Sequence, residues 1–373
     1  MAPQAALEEV RRELRETFID RDREIDGLLI ALLTGQHILL LGPPGTAKSM
    51  LARRLCAHLE GARYFEWLLT KFTTPEEIFG PIDLPALEQG RYERLLQHKL
   101  PSAEVAFLDE VFKANSAILN ALLTLMNERR FHQGATLLEA PLETVVAASN
   151  ELPEEDELRA LYDRFLLRFQ VGYVDDGAFD RLLKLEEPAP VRNRLSRDDL
   201  AALRRRLVEV QVPSSVLNDV RILRRSLFKE GVIPSDRRFR NSLAVLRAAA
   251  LLAGRDQVDA ADLAWLGAVL WTDPEELPKV EAALAQIATG LETEAKRIQS
   301  QAKEIFAYAL QPWPDPDSKA RATLEAHTKL VQLADRLGQL GRQAESEGRG
   351  PGIIEQLKNE LQSMQDSLLG AAN

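Results

Sequence analysis

The chain has 373 residues, of which 45% are hydrophobic and 6% aromatic, and its formal net charge is −10. This length accommodates two or three domains, and ordinary glycine and proline levels argue against wholesale disorder. The acidic balance disfavours a general nucleic-acid binder, and the single cysteine excludes an internal disulfide and a cysteine-based zinc site.

The N-terminal segment alternates helical and strand patterns. Apolar residues recur every three or four positions over 5–33, which predicts helix interrupted near 18–20. The apolar run His37–Leu41 predicts a buried strand that stops at Gly42, and a helix is expected over 47–59. Cys56 lies on the buried face of that helix, where we expect a packing role.

Further strands are predicted in the first half of the chain, with helical stretches between most of them. This alternation indicates a parallel sheet with crossover helices. A hairpin is expected over 130–143, around Gly134. The predicted strands after the first are 64–69, 105–108, 144–148 and a weaker one at 169–173.

Beyond about residue 175 the pattern is helical. Prolines at 312, 314 and 316 predict a turn between two helices, and the segment 345–352 predicts a second break. Helices over 291–310 and 320–340 could pair as an antiparallel arm, which would dock a partner or brace an assembly. The sequence thus predicts an α/β core over 1–190, an all-α domain over 191–275 and a helical extension over 276–373.

The segment 42–49, GlyProProGlyThrAlaLysSer, lies between a predicted strand and a predicted helix. Glycines let successive backbone N–H groups face phosphates, and the following helix adds its positive N-terminal end. Lys48 supplies a charge to the terminal phosphates and Ser49 a hydroxyl to Mg²⁺. Ala47 replaces a usual glycine, and we expect it to adopt helical dihedral angles. The alternative is a chance turn before a helix.

Polar side chains follow two further strands. Asp109 and Glu110 end an apolar strand, where parallel sheets place their ligands. Asp109 would hold the Mg²⁺ shell and Glu110 would polarise the attacking water, although strand-end carboxylates often only meet solvent. Asn150 follows the next strand, and its amide could orient that water or serve only in a turn.

Two groups of arginines are further candidates. A helix is predicted over 158–168, which would place Arg164 and Arg168 on one face. An arginine offered to a neighbouring subunit's nucleotide stabilises transition-state charge, but an exposed helix with ion pairs would look the same. Arg237 or Arg238, in the first turn of a later helix, could reach the γ-phosphate or form a solvated basic face.

Five separated motifs occur in the order GlyProProGlyThrAlaLysSer, PheLeuAspGlu, AlaIleLeuAsnAlaLeuLeuThrLeuMetAsnGluArgArgPhe, AlaAlaSerAsnGluLeuPro and LeuTyrAspArgPhe. Together they resemble the MoxR branch of the AAA+ ATPases, and within it the RavA (regulatory ATPase variant) group. The resemblance covers about residues 1–275 and implies the AAA+ fold, a five-stranded parallel sheet with flanking helices followed by an all-α lid. It is weak beyond about residue 280, so the C-terminal helical extension is predicted from the residues alone.

The resemblance also implies the cofactors ATP and Mg²⁺ and a role for each site residue. It favours Arg164 over Arg168 as the trans-acting arginine. The lid sensor matches Arg238 first and Arg237 second, because the chain has Asp-Arg-Arg where the family usually carries Ser-Pro-Arg. The implied catalytic residues are Glu110, Asn150, Arg164 and Arg238. The implied nucleotide contacts are Ile19, Gly42, Gly45, Thr46, Ala47, Lys48, Ser49 and Met50, with Ser49 and Asp109 on the metal.

The activity implied is ATP hydrolysis by a homo-oligomeric ring, expected to be a hexamer, that remodels a protein client. The expected partner carries a von Willebrand factor A domain, and segments 72–94 and 131–139 would grip the client. A cytoplasmic location is expected because no signal peptide or membrane span is visible. One alternative is a nucleic-acid motor, which DNA-stimulated ATPase activity would reveal. Another is an ATP-gated scaffold with little turnover, which has no need of Glu110 and Arg164.

Overall fold

The computed structural model describes residues 2–153, 155–185, 189–313, 315–346 and 352–370. The described chain forms two compact units. The first contains the residues up to 211 together with Pro234–Val258 and Ala268–Pro274, and the second contains Val212–Ile233, Asp259–Gly267 and the chain from Glu275. The predicted domain limits near residues 190 and 275 stay predictions.

The strands of the first unit are β1 (His37–Leu41), β2 (Tyr64–Leu68), β3 (Val105–Asp109), β4 (Arg130–Gln133), β5 (Thr136–Glu139), β6 (Thr144–Ser149) and β7 (Phe165–Gln170). Five of them form the core of the unit, a parallel sheet with the strand order β2-β3-β6-β1-β7. Its central strands are buried throughout, as expected for a sheet covered on both faces. A separate antiparallel hairpin, β4–β5, turns at Gly134 with φ +59°, which confirms the predicted hairpin.

The α-helices begin with the two predicted near the N-terminus, separated at 18–21. They are α1 (Pro3–Thr17), α2 (Asp22–Thr34), α3 (Lys48–Ala57), α4 (Pro75–Phe79), α5 (Leu84–Glu88), α6 (Ser116–Glu128), α7 (Asp156–Tyr162), α8 (Asp176–Leu183), α9 (Arg197–Glu209), α10 (Ser214–Lys229), α11 (Asp236–Leu252), α12 (Leu277–Leu310), α13 (Pro316–Ser346) and α14 (Gly352–Gly370). Short 3₁₀ turns lie at Leu100–Ser102, Val111–Lys113, Ala260–Ala268 and Pro274–Glu276.

Side chains that the sequence places just before helices cap several of them. Asn115 accepts a hydrogen bond from the backbone N–H of Ile118 at the start of α6, and Ser235 caps α11 in the same way. Ser196 and Asp199 form a reciprocal capping box on α9. The apolar helix α2 is buried from Glu24 to Leu33 and contacts β1, β6 and β7.

The predictions for residues 158–173 are wrong. The helix ends at Tyr162, and the fifth strand is Phe165–Gln170 instead of 169–173. Arg168 therefore lies in a buried strand and does not share a helical face with Arg164. Its guanidinium is buried, and two contacts compensate for the loss of water. It lies 3.7 Å from the Tyr162 ring centroid and donates to Trp271 O at 2.6 Å.

In the second unit, α12 and α13 pack along each other, as predicted for the antiparallel arm, and α14 adds a third helix to both. The helices break between Leu310 and Pro316, where the prolines predict a turn. The second predicted break falls mainly on 347–351, outside the described residues. Among the helices described, none combines the length and apolarity that crossing a membrane requires. The buried residues shared by α12, α13 and α14 are Ala295, Ile298, Ala302, Ala309, Ala326, Leu330, Leu337, Leu340, Ala344, Ile354, Leu357, Leu361 and Leu368.

Candidate active site

The segment 42–49 forms the connection from β1 to α3. Gly42 leaves the sheet so close to β7 that a Cβ atom there would lie 2.0 Å from Val171 O. Gly45 has φ +82°, which glycine adopts without steric cost. Ala47 has φ +64° and ψ +20°, so our expectation of helical dihedral angles is wrong for this residue. Thr46 is buried, and its hydroxyl donates to Pro43 O at 3.1 Å.

The Lys48 ammonium lies inside this loop. Its Nζ donates to Gly42 O at 2.8 Å and to Pro43 O at 2.7 Å, and only 8% of the residue is exposed. Burial lowers the pKa of Lys48, while the nearby carboxylates of Asp109 and Glu110 oppose that shift. The structure therefore brings the lysine and the acidic pair into one site, as their order in the sequence predicts.

Glu110 and Asn150 are in direct contact. Asn150 Nδ2 donates to Glu110 Oε1 at 3.1 Å, and Lys113 Nζ lies 3.3 Å from Glu110 Oε2. Glu110 has φ +50°, and its backbone N–H donates to Asp109 Oδ1 at 3.0 Å. The turn after β3 thus holds one carboxylate by a backbone N–H group and orients the other with an amide and a cation.

A cavity of about 390 Å³ adjoins the loop. Its wall is mostly apolar, and α8 contributes to it with a face that is otherwise exposed to solvent. Such a wall suits a flat aromatic ring beside a phosphate site. The residues that line it are Thr17, Phe18, Ile19, Arg21, Gly45, Thr46, Ala47, Met50, Tyr173, Val174, Phe179, Leu182 and Leu185. They include Ile19, Gly45, Thr46, Ala47 and Met50, which the sequence predicts as nucleotide contacts.

Arg21 is a site residue that the sequence did not reveal. It is 5% exposed, and its guanidinium donates to Gly172 O at 2.6 Å, to Asp20 O and, more weakly, to Thr46 O at 3.4 Å. It therefore connects the loop to residues 20 and 172, each of which is next to a residue that lines the cavity. The only signal in the sequence is its position beside Asp20, because both other partners are distant in the chain.

Arg164 lies at the other end of the sheet. It immediately precedes β7, and β7 runs parallel to β1 with Phe165 paired to His37 and Gln170 to Leu41. The side chain is half-buried, and among the described residues we find no hydrogen bond or ion pair for it. It is thus placed where the strands begin, whereas the loop at Gly42 follows the point where they end.

The two lid arginines differ in their surroundings. Arg238 is 2% exposed and lies against the backbone of β7, while Arg237 is exposed. Burial is the main cause that lowers the pKa of Arg238, and Asp163 opposes it. The two candidates that the sequence could not separate therefore occupy different environments.

The segments predicted to grip a client each present an exposed apolar side chain. Phe72, in the loop between β2 and α4, is 91% exposed, the highest value among the large hydrophobic side chains described. Leu137, at 40%, lies on the β4–β5 hairpin, whose Gln133 donates to Arg94 O at 3.1 Å. The hairpin and the 72–94 segment are thus in contact within the first unit.

Comparison with known families gives two matches. The MoxR domain in the MoxR-vWA-beta-propeller ternary systems matches residues 5–205, and the AAA lid domain matches residues 215–284.

Individual relatives agree with these matches. Two uncharacterised proteins of Methanocaldococcus jannaschii are 41% and 40% identical over 284 and 283 residues, which is 76% and 75% of this chain and 76% and 74% of theirs. The chaperone MoxR1 of Mycobacterium tuberculosis is 29% identical over 171 residues, 45% of this chain and 44% of its own.

A candidate ATPase from Cytophaga hutchinsonii has the same fold in a solved structure. It superposes with a TM-score of 0.61 at 20% identity, over 77% of this chain and 94% of the other.

Proposed function

Because the chain belongs to the MoxR family of AAA+ ATPases, we propose that it hydrolyses ATP in a ring of subunits and remodels a protein client. The observation that carries this proposal is the convergence of Lys48, Asp109, Glu110 and Asn150 where β1, β3 and β6 end, beside an apolar cavity. Phosphoryl transfer needs mainly positioning and charge stabilisation, which these groups supply.

Each group has a distinct task in this proposal. Loop N–H groups and Lys48 bind the phosphates, and the apolar cavity takes the adenine. Glu110 polarises the attacking water, and Asn150 holds the Glu110 carboxylate in place. The hydroxyl of Ser49 and the carboxylate of Asp109 are hard oxygen donors that suit Mg²⁺, whose charge offsets that of the phosphates.

Arg164 acts on a neighbouring subunit's nucleotide. Strand β1 spans five residues at about 3.3 Å each, so roughly 16 Å separates Arg164 from the loop of its own subunit. An arginine side chain cannot cover that distance and also contact a γ-phosphate. A ring places the start of one subunit's strands against its neighbour's nucleotide, and a homo-oligomer of this kind, with six subunits, is the assembly we propose.

The partner and the client follow from the family and from the exposed segments. The matched family takes its name from ternary systems that include a vWA component, which supports a von Willebrand factor A domain partner. The exposed Phe72 and the β4–β5 hairpin supply the client contacts. We place the activity in the cytoplasm, and the RavA likeness within the family rests on the sequence motifs alone.

ATP turnover tests this function directly. We expect Glu110→Gln to lower kcat at least about 100-fold without weakening ATP binding, because only the activation of water is lost. Lys48→Ala should abolish binding as well, and Glu60→Gln, an exposed carboxylate beyond α3, should behave as wild type. Equal rates for wild type and Glu110→Gln would overturn the mechanism. Stimulation of turnover by DNA would instead favour a nucleic-acid motor.

A further inference from the structure

The turn that carries Arg164 is held on both sides by buried arginines. Arg238 Nη2 donates to Leu166 O at 2.7 Å, and its Nη1 donates to Phe165 O at 3.2 Å and lies 3.4 Å from Asp163 Oδ1. These three acceptors belong to residues within two positions of Arg164. On the other side, Arg168 Nη2 donates to Tyr162 O at 3.0 Å.

Both arginines also contact one stretch of the lid backbone. Arg238 Nε donates to Val269 O at 2.7 Å and Arg168 Nη1 to Trp271 O at 2.6 Å. Tyr162 adds a third connection, because its hydroxyl donates to Thr272 O at 2.5 Å. All these residues belong to the first compact unit. The residues on either side of Arg164 are therefore joined to a segment about 100 positions later in the chain.

The donors of Arg238 are already in use. Its Nε, Nη1 and Nη2 all hydrogen-bond, and the residue is 2% exposed. To contact a phosphate, the guanidinium would have to give up these hydrogen bonds to three backbone carbonyl groups, which is unfavourable in the protein interior. Arg237, one residue earlier on α11, is exposed, and we find no hydrogen bond of its side chain among the described residues.

We propose that Arg238, together with Arg168, is a positioning residue that fixes the orientation of the trans-acting Arg164, and that it does not bind the nucleotide of its own subunit. This inference rests on the proposed function, because it requires that Arg164 completes a neighbour's site. Arg237 then becomes the candidate for the lid sensor. Arg238 acts through the carbonyl groups of residues 165 and 166 and the Asp163 carboxylate, so its loss affects the next subunit's turnover.

Mixed rings separate this role from a sensor role. A Glu110→Gln subunit cannot hydrolyse ATP but still presents Arg164 to its neighbour. A subunit whose only defect is in the arginine that it presents therefore regains ATP turnover when mixed with Glu110→Gln, because the Glu110→Gln neighbour supplies an intact arginine. A subunit with a defect in its own nucleotide site is not rescued. Arg164→Ala serves as the rescued control, and Lys48→Ala as the control that is not rescued.

We expect Arg238→Lys alone to lose at least about tenfold in kcat while its ATP affinity stays within about twofold of wild type. Mixed in equal amounts with Glu110→Gln, it should recover to about a quarter of the wild-type rate, since about one site in four then pairs an intact carboxylate with an intact arginine. Asp163→Asn should give the same pattern. The Asp163 side chain is 43% exposed, so we expect Asp163→Asn to fold. This variant therefore tests the inference even if Arg238→Lys does not fold.

The outcomes that overturn the inference are distinct from those that overturn the proposed function. If the Arg164→Ala mixture recovers but the Arg238→Lys and Asp163→Asn mixtures do not, Arg238 is not a positioning residue, while the trans arrangement stands. Weakened ATP binding by Arg238→Lys at unchanged melting temperature would show a sensor role instead. If the Arg164→Ala mixture itself fails to recover, the trans arrangement is wrong and the inference falls with it.

Discussion

The residue before Lys48 carries a conformational cost. Ala47 occupies the left-handed region at φ +64°, where a Cβ atom costs roughly 1–2 kcal/mol relative to right-handed dihedral angles. Glycine meets no such penalty there, which explains why glycine is usual at this position of phosphate loops. The binding loop of this chain therefore stores strain that its surroundings must offset.

We expect Ala47→Gly to stabilise the first unit by about 1 kcal/mol, because the strain removed exceeds the added entropy of the unfolded chain. Urea denaturation without nucleotide measures this as a higher unfolding midpoint. Ala201→Gly, at an exposed position inside α9, is the matched control and should destabilise by about 1 kcal/mol. A lower midpoint for Ala47→Gly would mean that the methyl group makes packing contacts that outweigh the strain.

How far the site can be predicted depends on whether its residues act through local or distant contacts. Asp109 ends β3, Glu110 and Asn150 directly follow β3 and β6, and Lys48 begins the helix after β1, so the order of strands and polar residues predicts where they meet. Arg21 acts through Gly172 and Thr46, and nothing in the residues around it signals those contacts.

In the region from α7 to β7, contacts between distant residues likewise prevent the prediction of whole elements from the local sequence. Residues 158–168 carry charges at a helical spacing, which indicates an exposed helix. The chain instead becomes a strand at Phe165, and Arg168 is accommodated in the interior by its contacts with Tyr162 and Trp271. A buried guanidinium with distant partners cannot be distinguished from an exposed one by local pattern. The other four strands of the sheet lack buried arginines, and their predicted positions agree with the structure to within one residue.

Helix α8 gives a prediction for base binding. None of its residues is buried, yet Phe179 and Leu182 line the cavity beside the loop. We expect Phe179→Asp to weaken ATP binding about tenfold, or about 1.4 kcal/mol, because a charged group replaces an apolar contact with the adenine. Leu183→Asp is the matched control, since Leu183 is on the same helix, 69% exposed and outside the cavity lining. Titration of a fluorescent ATP analogue measures both, and equal losses would place the base elsewhere.

At the scale of the whole molecule, the parallel sheet places the proposed nucleotide site and the proposed trans-acting arginine at its opposite ends. The loop at 42–49 and the carboxylates of Asp109 and Glu110 lie where strands end, and Arg164 lies where β7 begins. No single subunit can bring these groups together, because the strands between them are rigid and buried. In the mechanism that we propose, neighbouring subunits therefore share each site, and Arg238 and Arg168 fix the position of the Arg164 that each subunit contributes.

Nucleotide binding should be visible at Cys56 as protection from thiol reagents. This cysteine lies in α3, is 4% exposed, and has a pKa raised to about 12, first by burial and then by Glu104. At pH 8 it is a protonated, buried thiol, so it reacts only when α3 opens.

ATP at 100 times its Kd should slow labelling of the Glu110→Gln variant about 100-fold, since binding stabilises the closed state by about 2.7 kcal/mol. The same experiment with Lys48→Ala should show no dependence on ATP. ATP protection that survives Lys48→Ala, or labelling that ATP does not slow at all, would show that α3 and its loop do not form the nucleotide site.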